Sequence, residues 1–213
     1  MAITLYALSG SPYVWRVWLA LEHKGLSYEL KPLSFDAGDF AKPELSALNP
    51  RKRVPVLVDD SFVLYESAAI VEYLEDRYPE RSRLFSESVQ ERAIQRRMIR
   101  ETDQYFAEPL EQLVSAVLFT APPQWDDAKI VPAWRAVQAE VERWETVITG
   151  DYLAGTVSAV DYALYPELAL ALRIAARKPE LSRTDPLGPR LTAWRARMEA
   201  LPIVQKTWPP HWK

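Results

Sequence analysis

The sequence predicts an α/β amino-terminal block of about 80 residues followed by an all-α block, within a chain of 213 residues. Three observations carry that prediction. Short strand-like runs alternate with helical periods only in the first block. Every long segment of the second block reads as helix. The charge balance changes at the same place: residues 1–80 hold 8 Lys and Arg against 12 Asp and Glu, while residues 81–213 hold 18 against 17. Between the blocks, Tyr78-Pro79 and Glu80-Arg81-Ser82-Arg83 are polar and interrupted by proline. The expected organisation is therefore 1–78, a linker at 79–87, and a helical part at 88–213. No internal repeat or low-complexity stretch interrupts it.

The first strand is Ile3-Thr4-Leu5-Tyr6-Ala7-Leu8. A helix follows, with Val14, Val17, Trp18 and Leu21 at i, i+3, i+4, i+7, Ser11 as N-cap, Pro12 at its first position and Lys24-Gly25 as its stop. Ser27-Tyr28-Glu29-Leu30 makes a second strand. Val54 to Val58 and Phe62-Val63-Leu64-Tyr65, separated by Asp59-Asp60, make a hairpin. A helix starting at Ser67 with Ile70, Val71, Leu74 and Tyr78 on one face closes a β-α-β, hairpin, helix arrangement.

In the second block a long helix from about Ser88 to Phe119 contains Pro109, which predicts a kink or break there. The next helix buries Val137, Val141, Trp144 and Ile148 and stops at Gly150. Ser158 and Asp161 have capping-box spacing ahead of an apolar helix ending near Arg177. The last helix uses Leu191, Trp194, Met198 and Leu201 and stops at Pro202. Four such helices bury one core.

Composition narrows the chemistry. The absence of cysteine excludes a disulfide framework, a thiolate zinc site and a Cys nucleophile, so any reactive thiol must come from a ligand. Two histidines, His23 and His211, are too few for a His-rich metal site, and no metal is expected. A formal charge of −3, with Arg51-Lys52-Arg53 as the single basic run, gives no footprint for nucleic acid or an anionic membrane. No signal-like start or membrane-length apolar run is present, and a cytoplasmic location is the expectation.

Three segments carry candidate chemistry. Ser9-Gly10-Ser11-Pro12-Tyr13 joins a strand to a capped helix, placing the Ser11 hydroxyl and unpaired N–H groups at the positive end of a helix dipole. Such a place suits an anion, although a serine before proline also serves simply as a cap. Asn49-Pro50 to Val54-Pro55-Val56-Leu57 enters a strand with proline as its second member, which requires an edge position or a cis bond. A cis Val54-Pro55 bond leaves the Val54 backbone to pair with an extended peptide-like ligand; an ordinary edge strand is the alternative. Tyr65-Glu66-Ser67 offers a carboxylate and a hydroxyl where a helix begins, suited to an amino-acid end, or is a plain helix start.

Together these segments resemble the soluble glutathione transferases over nearly the whole chain. The resemblance rests on Ser11-Pro12-Tyr13-Val14-Trp15-Arg16-Val17 with Leu19 to Gly25, on Asn49-Pro50 to Leu57, and on Glu66-Ser67 to Leu74, with Ser158 to Asp161 similar to the family's helical capping box. It implies a thioredoxin-like amino-terminal domain, an all-helical carboxyl domain and a homodimer. The Ser-Pro-Tyr start is most similar to the serine-type members, with a tau-like pattern and affinities to theta, phi and zeta kinds. The lack of cysteine argues against the omega, beta and glutaredoxin-like members.

The resemblance further implies roles. Ser11 would be the catalytic hydroxyl for the thiolate of glutathione, the co-substrate. Lys42 or Lys52, and Arg53, would meet its glycine carboxylate, Val54 beside Pro55 its cysteinyl backbone, and Glu66 with Ser67 its γ-glutamyl end. Arg53 stands where a lysine is common. Tyr6, inside the first strand, and Ser9, in the turn, rival Ser11. An apolar electrophilic small molecule would lie between the two domains, against Tyr13, Tyr105 and Trp208, residues that also serve for packing. The expected activity is conjugation of the thiolate to that electrophile. The alternatives are a glutathione-dependent isomerase, dehalogenase or ether-cleaving enzyme, and a non-catalytic binding or assembly protein on the same fold.

Overall fold

The computed structural model describes residues 2–148, 150–181 and 187–212. Its contacts divide the chain into two units: Glu87–Ala200 forms one, and the stretch up to Ser86 joins with the segment from Leu201 onward to form the other.

The first unit begins β1 (Ile3–Ala7), α1 (Pro12–His23), β2 (Tyr28–Pro32), α2 (Pro43–Leu48), β3 (Val56–Asp59), β4 (Phe62–Tyr65) and α3 (Ser67–Arg77). Its four strands lie in the order β2-β1-β3-β4. β1 runs parallel to β2 and antiparallel to β3, and β4 returns antiparallel as the predicted hairpin. Leu5, Val56 and Leu57 are wholly buried at the centre of the sheet. β3 is shorter than the apolar run because its ladder starts at Val56; the Val54–Pro55 bond ahead of it is cis.

α1 has the expected ends, with Ser11 as N-cap, Pro12 in its first turn and Gly25 at φ +62 just beyond it. Its buried surface is wider than the single face expected. Trp15, Arg16, Leu19 and Ala20 are buried as well, because α1 packs against α3 and against the carboxyl-terminal segment. Trp18 is only half-buried, and its indole N–H donates to the Tyr28 hydroxyl, which in turn donates to Glu22. The short α2 has no counterpart in the sequence reading: six residues with one buried side chain, Leu45, show no period.

At its far end α1 is tied to α3 by a buried ion pair. Lys24 Nζ lies 2.8 Å from Glu75 Oε2, with the lysine side chain fully enclosed. The same ammonium donates to the carbonyls of Tyr78 and Ser82, and Glu75 accepts the Leu84 N–H. This cluster fixes the chain as it leaves the unit, across the segment read from sequence as a linker.

The second unit contains α4 (Val89–Glu101), α5 (Ala107–Leu113), α6 (Asp127–Val147), α7 (Ala159–Arg177) and α8 (Pro189–Ala200). Of the kink or break expected at Pro109, the break does not occur. Helical structure runs on through two widened π turns, Thr102–Phe106 and Val114–Leu118, and the first of them lies just ahead of the proline. There the Ala107 N–H reaches the Thr102 carbonyl five residues back, a wider turn that accommodates the proline ring and its missing donor.

The Ser158–Asp161 capping box is present. Asp161 is wholly buried and accepts from the Leu153 and Ser158 N–H groups, the Ser158 hydroxyl and the Trp194 indole. Trp134, Val137, Val141 and Trp144 of α6 are buried with Tyr162, Tyr165 and Leu168 of α7 and Trp194 and Met198 of α8.

The carboxyl-terminal segment departs from the sequence reading. Pro202 ends α8 but also opens a further helix, α9 (Pro202–Thr207), and the segment from Leu201 onward groups with the first unit and not with the helical part. The reason is packing between distant parts of the chain: Val204 and Thr207 are buried, and α9 packs on α1. Among the described residues no helix is long and apolar enough to cross a membrane.

Candidate active site

Strand register gathers the three candidate segments at one end of the sheet. Tyr6 of β1 pairs with Val56 of β3, and Val56 pairs with Tyr65 of β4. Ser11 follows the end of β1, Val54 and Pro55 precede β3, and Glu66 and Ser67 follow β4. All of them therefore lie at the same end of the sheet.

Ser11 occupies the N-cap of α1. The four residues Leu8 to Ser11 form a turn closed by Ser11 N–H to Leu8 C=O at 3.1 Å. Gly10 takes φ +83 within it, a left-handed conformation that side chains with a Cβ rarely adopt. The Ser11 Oγ accepts the Val14 N–H at 3.4 Å. A serine hydroxyl carries one hydrogen and two lone pairs, so this contact uses a lone pair and leaves the hydrogen for an incoming anion.

Val54 is held by a loop that the sequence reading did not resolve. Asn49, only 2% exposed, donates through Nδ2 to the Arg53 carbonyl and accepts the Arg51 N–H at Oδ1, both at 2.9 Å. Lys52, at φ +53, and Arg53 point from this loop as exposed side chains. Pro55 is buried and Val54 half-buried.

Glu66 is exposed and sits at φ +73, an outlying conformation for a residue with a side chain, and it caps α3 without a side-chain hydrogen bond. The first N–H groups of α3 thus have no side-chain cap. Ser67 is buried, and its Oγ accepts from Arg16 at 3.3 Å. Arg16 is 1% exposed, and its guanidinium also lies 5.7 Å from the Tyr13 ring centroid. Arg16, within the Ser11–Val17 stretch, carries no role in the sequence reading; the signal for one was a cation within an apolar helix.

The remaining candidates fall in different places. Lys42 Nζ is 2.5 Å from Asp39 Oδ1, a mutual hydrogen bond that raises the lysine and lowers the aspartate from their ordinary values. Lys42 is thus engaged within its own turn. Tyr6 lies inside β1, with Lys31 over its ring. Tyr105 belongs to the second unit, 52% exposed within the first π turn. Trp208 makes edge-on contacts with Trp15 and Trp212 at centroid distances of 5.4 and 6.0 Å.

Beside the Ser11 turn the first unit has a part-open apolar cavity of about 220 Å³. Leu8, Val14, Trp18, Leu30 and Pro32 form its walls together with Pro209 of the carboxyl-terminal segment. That segment is anchored by Trp15, whose indole N–H donates to Thr207 Oγ1 at 2.8 Å. Ser9 shares a 3.1 Å hydrogen bond with His211 Nδ1. Neither contact was legible from sequence.

Comparisons with known proteins show what the chain is similar to. The family model described as glutathione S-transferase, N-terminal domain, matches residues 5–82. Glutathione S-transferase 3 of Zea mays is 31% identical over 215 residues, covering 96% of this chain and 92% of the relative. Maleylacetoacetate isomerase of Mus musculus is 34% identical over 174 residues, covering 79% and 78%. The crystal structure of a theta class glutathione S-transferase from Xanthomonas axonopodis pv. citri, with glutathione bound, superposes with a TM-score of 0.81 at 28% identity, covering 96% of each chain.

Proposed function

The chain belongs to the glutathione S-transferase family, and from that premise we propose that it takes glutathione as co-substrate and adds its thiolate to apolar electrophilic small molecules, with Ser11 stabilising the sulfur anion. The observation that carries this reading is the N-cap position of Ser11. Its lone pair is occupied by Val14 and its hydrogen is directed to no other described group.

An ordinary thiol has a pKa near 8.5, and a helix N-terminus lowers it to roughly 7.5 or below, so the sulfur is substantially ionised at neutral pH. The Ser11 hydroxyl is far too weak an acid to serve as a base. It donates a hydrogen bond to the thiolate, which lowers the energy of the nucleophile in the way an oxyanion hole does. The rest of the peptide is met by complementary charge: Glu66 with the Ser67 region takes the γ-glutamyl amine and carboxylate, Val54 pairs with the cysteinyl backbone, and Lys52 and Arg53 face the glycine carboxylate. Lys42 would have to leave Asp39 to join them. The apolar cavity beside the turn accommodates the electrophile against Val14, Trp15 and Trp18; Tyr13 and Trp208 do not line it. The active species is a homodimer, and a monomer in sedimentation at micromolar concentration would refute that part.

Ser11→Ala tests the reading. One charge-assisted hydrogen bond is worth about 1.5–3 kcal/mol, so turnover near neutral pH should fall roughly 10- to 100-fold. The apparent thiol pKa should rise, and binding of an S-alkylated glutathione should hold. The loss shrinks as pH rises. A pKa shift found only in Ser9→Ala or Tyr6→Phe would move the catalytic role to that residue.

The 34% identity to the mouse isomerase favours a second reading, in which glutathione adds reversibly to the substrate and is released unchanged. Thiol consumption separates the two. Conjugation uses one glutathione per turnover, and isomerisation uses none.

A further inference from the structure

His211 lies against the turn that presents Ser11. Its Nδ1 shares a 3.1 Å hydrogen bond with Ser9 Oγ, two residues before Ser11. The next residue, Gly10, is covered by the same ring: a Cβ built there would sit 2.9 Å from His211 Cε1 and Nε2 and 2.9 Å from Trp212 Nε1. The imidazole and the indole therefore rest directly on the Gly10 Cα. Only a glycine permits that approach.

The segment carrying His211 is itself held firmly. Trp15, one helical turn after Ser11, donates to Thr207 and meets Trp208 and Trp212 edge-on at 5.4 and 5.6 Å. The Trp212 N–H to Pro209 C=O bond at 3.0 Å folds residues 209–212 back toward the turn. One side of the Leu8–Ser11 turn is thus fixed by Trp15 through α1, and the other by His211 through Ser9. The hydroxyl that would meet the sulfur hangs from the last residue of that turn.

We propose that His211 is a positioning residue for Ser11: by holding Ser9 and covering Gly10 it fixes the turn that sets where the Ser11 hydroxyl points. This rests on Ser11 being the thiolate donor. The imidazole acts through Ser9 and does not touch the sulfur. Donor geometry decides how strongly a hydrogen bond favours the anion, so a small displacement of the turn weakens activation while the remote contacts that bind glutathione remain.

The test is steady-state kinetics and thiol titration of the full chain carrying His211→Ala, His211→Asn, Ser9→Ala, the double variant, or Ser11→Ala. His211→Ala should lower kcat roughly 5- to 20-fold and raise the apparent thiol pKa, with affinity for S-hexylglutathione unchanged. His211→Asn, whose amide occupies the Nδ1 position, should restore most of both. Ser9→Ala and His211→Ala should be non-additive, because they break one link. A wild-type pH profile in His211→Ala, failure of the asparagine to restore it, or full additivity would overturn the proposal. If His211→Ala is silent while Ser11→Ala shifts the thiol pKa, only this inference fails. If Ser11→Ala itself leaves the pKa unmoved, the reading of Ser11 fails with it.

Discussion

The guanidinium of Arg16, enclosed in the first unit, donates to the hydroxyl of Ser67 at 3.3 Å, so the candidate anion site at α1 and the candidate amino-acid site at α3 share one buried cation. Ser67→Ala removes an acceptor from that cation. Unfolding in urea should show a loss of about 1–3 kcal/mol, the cost of a buried donor left short of a partner. In Arg16→Met the same serine substitution should cost much less. Equal costs in both backgrounds would show that the contact contributes nothing.

Glu66 faces solvent in a conformation that non-glycine residues rarely take, and the proposed function gives its carboxylate the γ-glutamyl amine. Glu66→Ala should weaken glutathione binding by roughly 10- to 100-fold, the worth of one charge-assisted contact to the α-amino group. Calorimetry with wild-type affinity would remove Glu66 from the site. Folding stability should not fall, since no side-chain cap is lost.

Lys24 and Glu75 predict an acid limb in stability. Burial opposes ionisation of Glu75, but the Lys24 ammonium and the Leu84 N–H outweigh it and hold the carboxyl below its ordinary value. The unfolded chain binds the proton more readily. The pair therefore contributes fully above the ordinary glutamate pKa, about 4.3, and its contribution is lost as pH falls from there through the lower folded value. Glu75→Gln should cost about 1.5–3 kcal/mol at pH 7 and flatten the decline in acid. Parallel decline in both proteins would contradict the assignment.

In the second unit Asp161 accepts four donors with two oxygens. An asparagine there turns an amine toward at least one of those donors. Thermal unfolding of Asp161→Asn should report a loss of about 1–3 kcal/mol for each donor orphaned, and binding of glutathione by the folded protein should be unchanged.

The features legible in the sequence are those whose cause is local. Ser11, Pro12 and Gly25 announce α1 because cap chemistry acts within one turn, and Ser158 with Asp161 announces α7 for the same reason. The strand-to-helix junctions that carry Ser11 and Glu66 and the loop-to-strand junction that carries Val54 were visible as junctions, and sheet register then brought them to one end of the sheet. Contacts that join distant residues left no local trace. Arg16 and Ser67 are 51 positions apart, and Ser9 and His211 are 202 apart. Pro109 marked an irregularity without fixing its form: proline removes a donor, but whether the helix breaks or widens depends on the packing around it. The tail was misassigned because Pro202 reads equally as a stop and as a first helical residue.

Trp15 and Thr207 meet across 192 positions, and nearly all of the intervening chain beyond Ser86 belongs to the other unit. On a ribosome adding about 5–20 residues per second, roughly 10–40 s separate the emergence of these two partners. Throughout that interval Trp15 lacks its tail contacts, and the apolar hollow beside the Ser11 turn lacks Thr207, Pro209 and Pro210 from its lining. Residues 201–212 thus complete a unit whose first strand emerged long before them, and a nascent chain lacks the Trp15–Thr207 and Ser9–His211 contacts until that segment has been made.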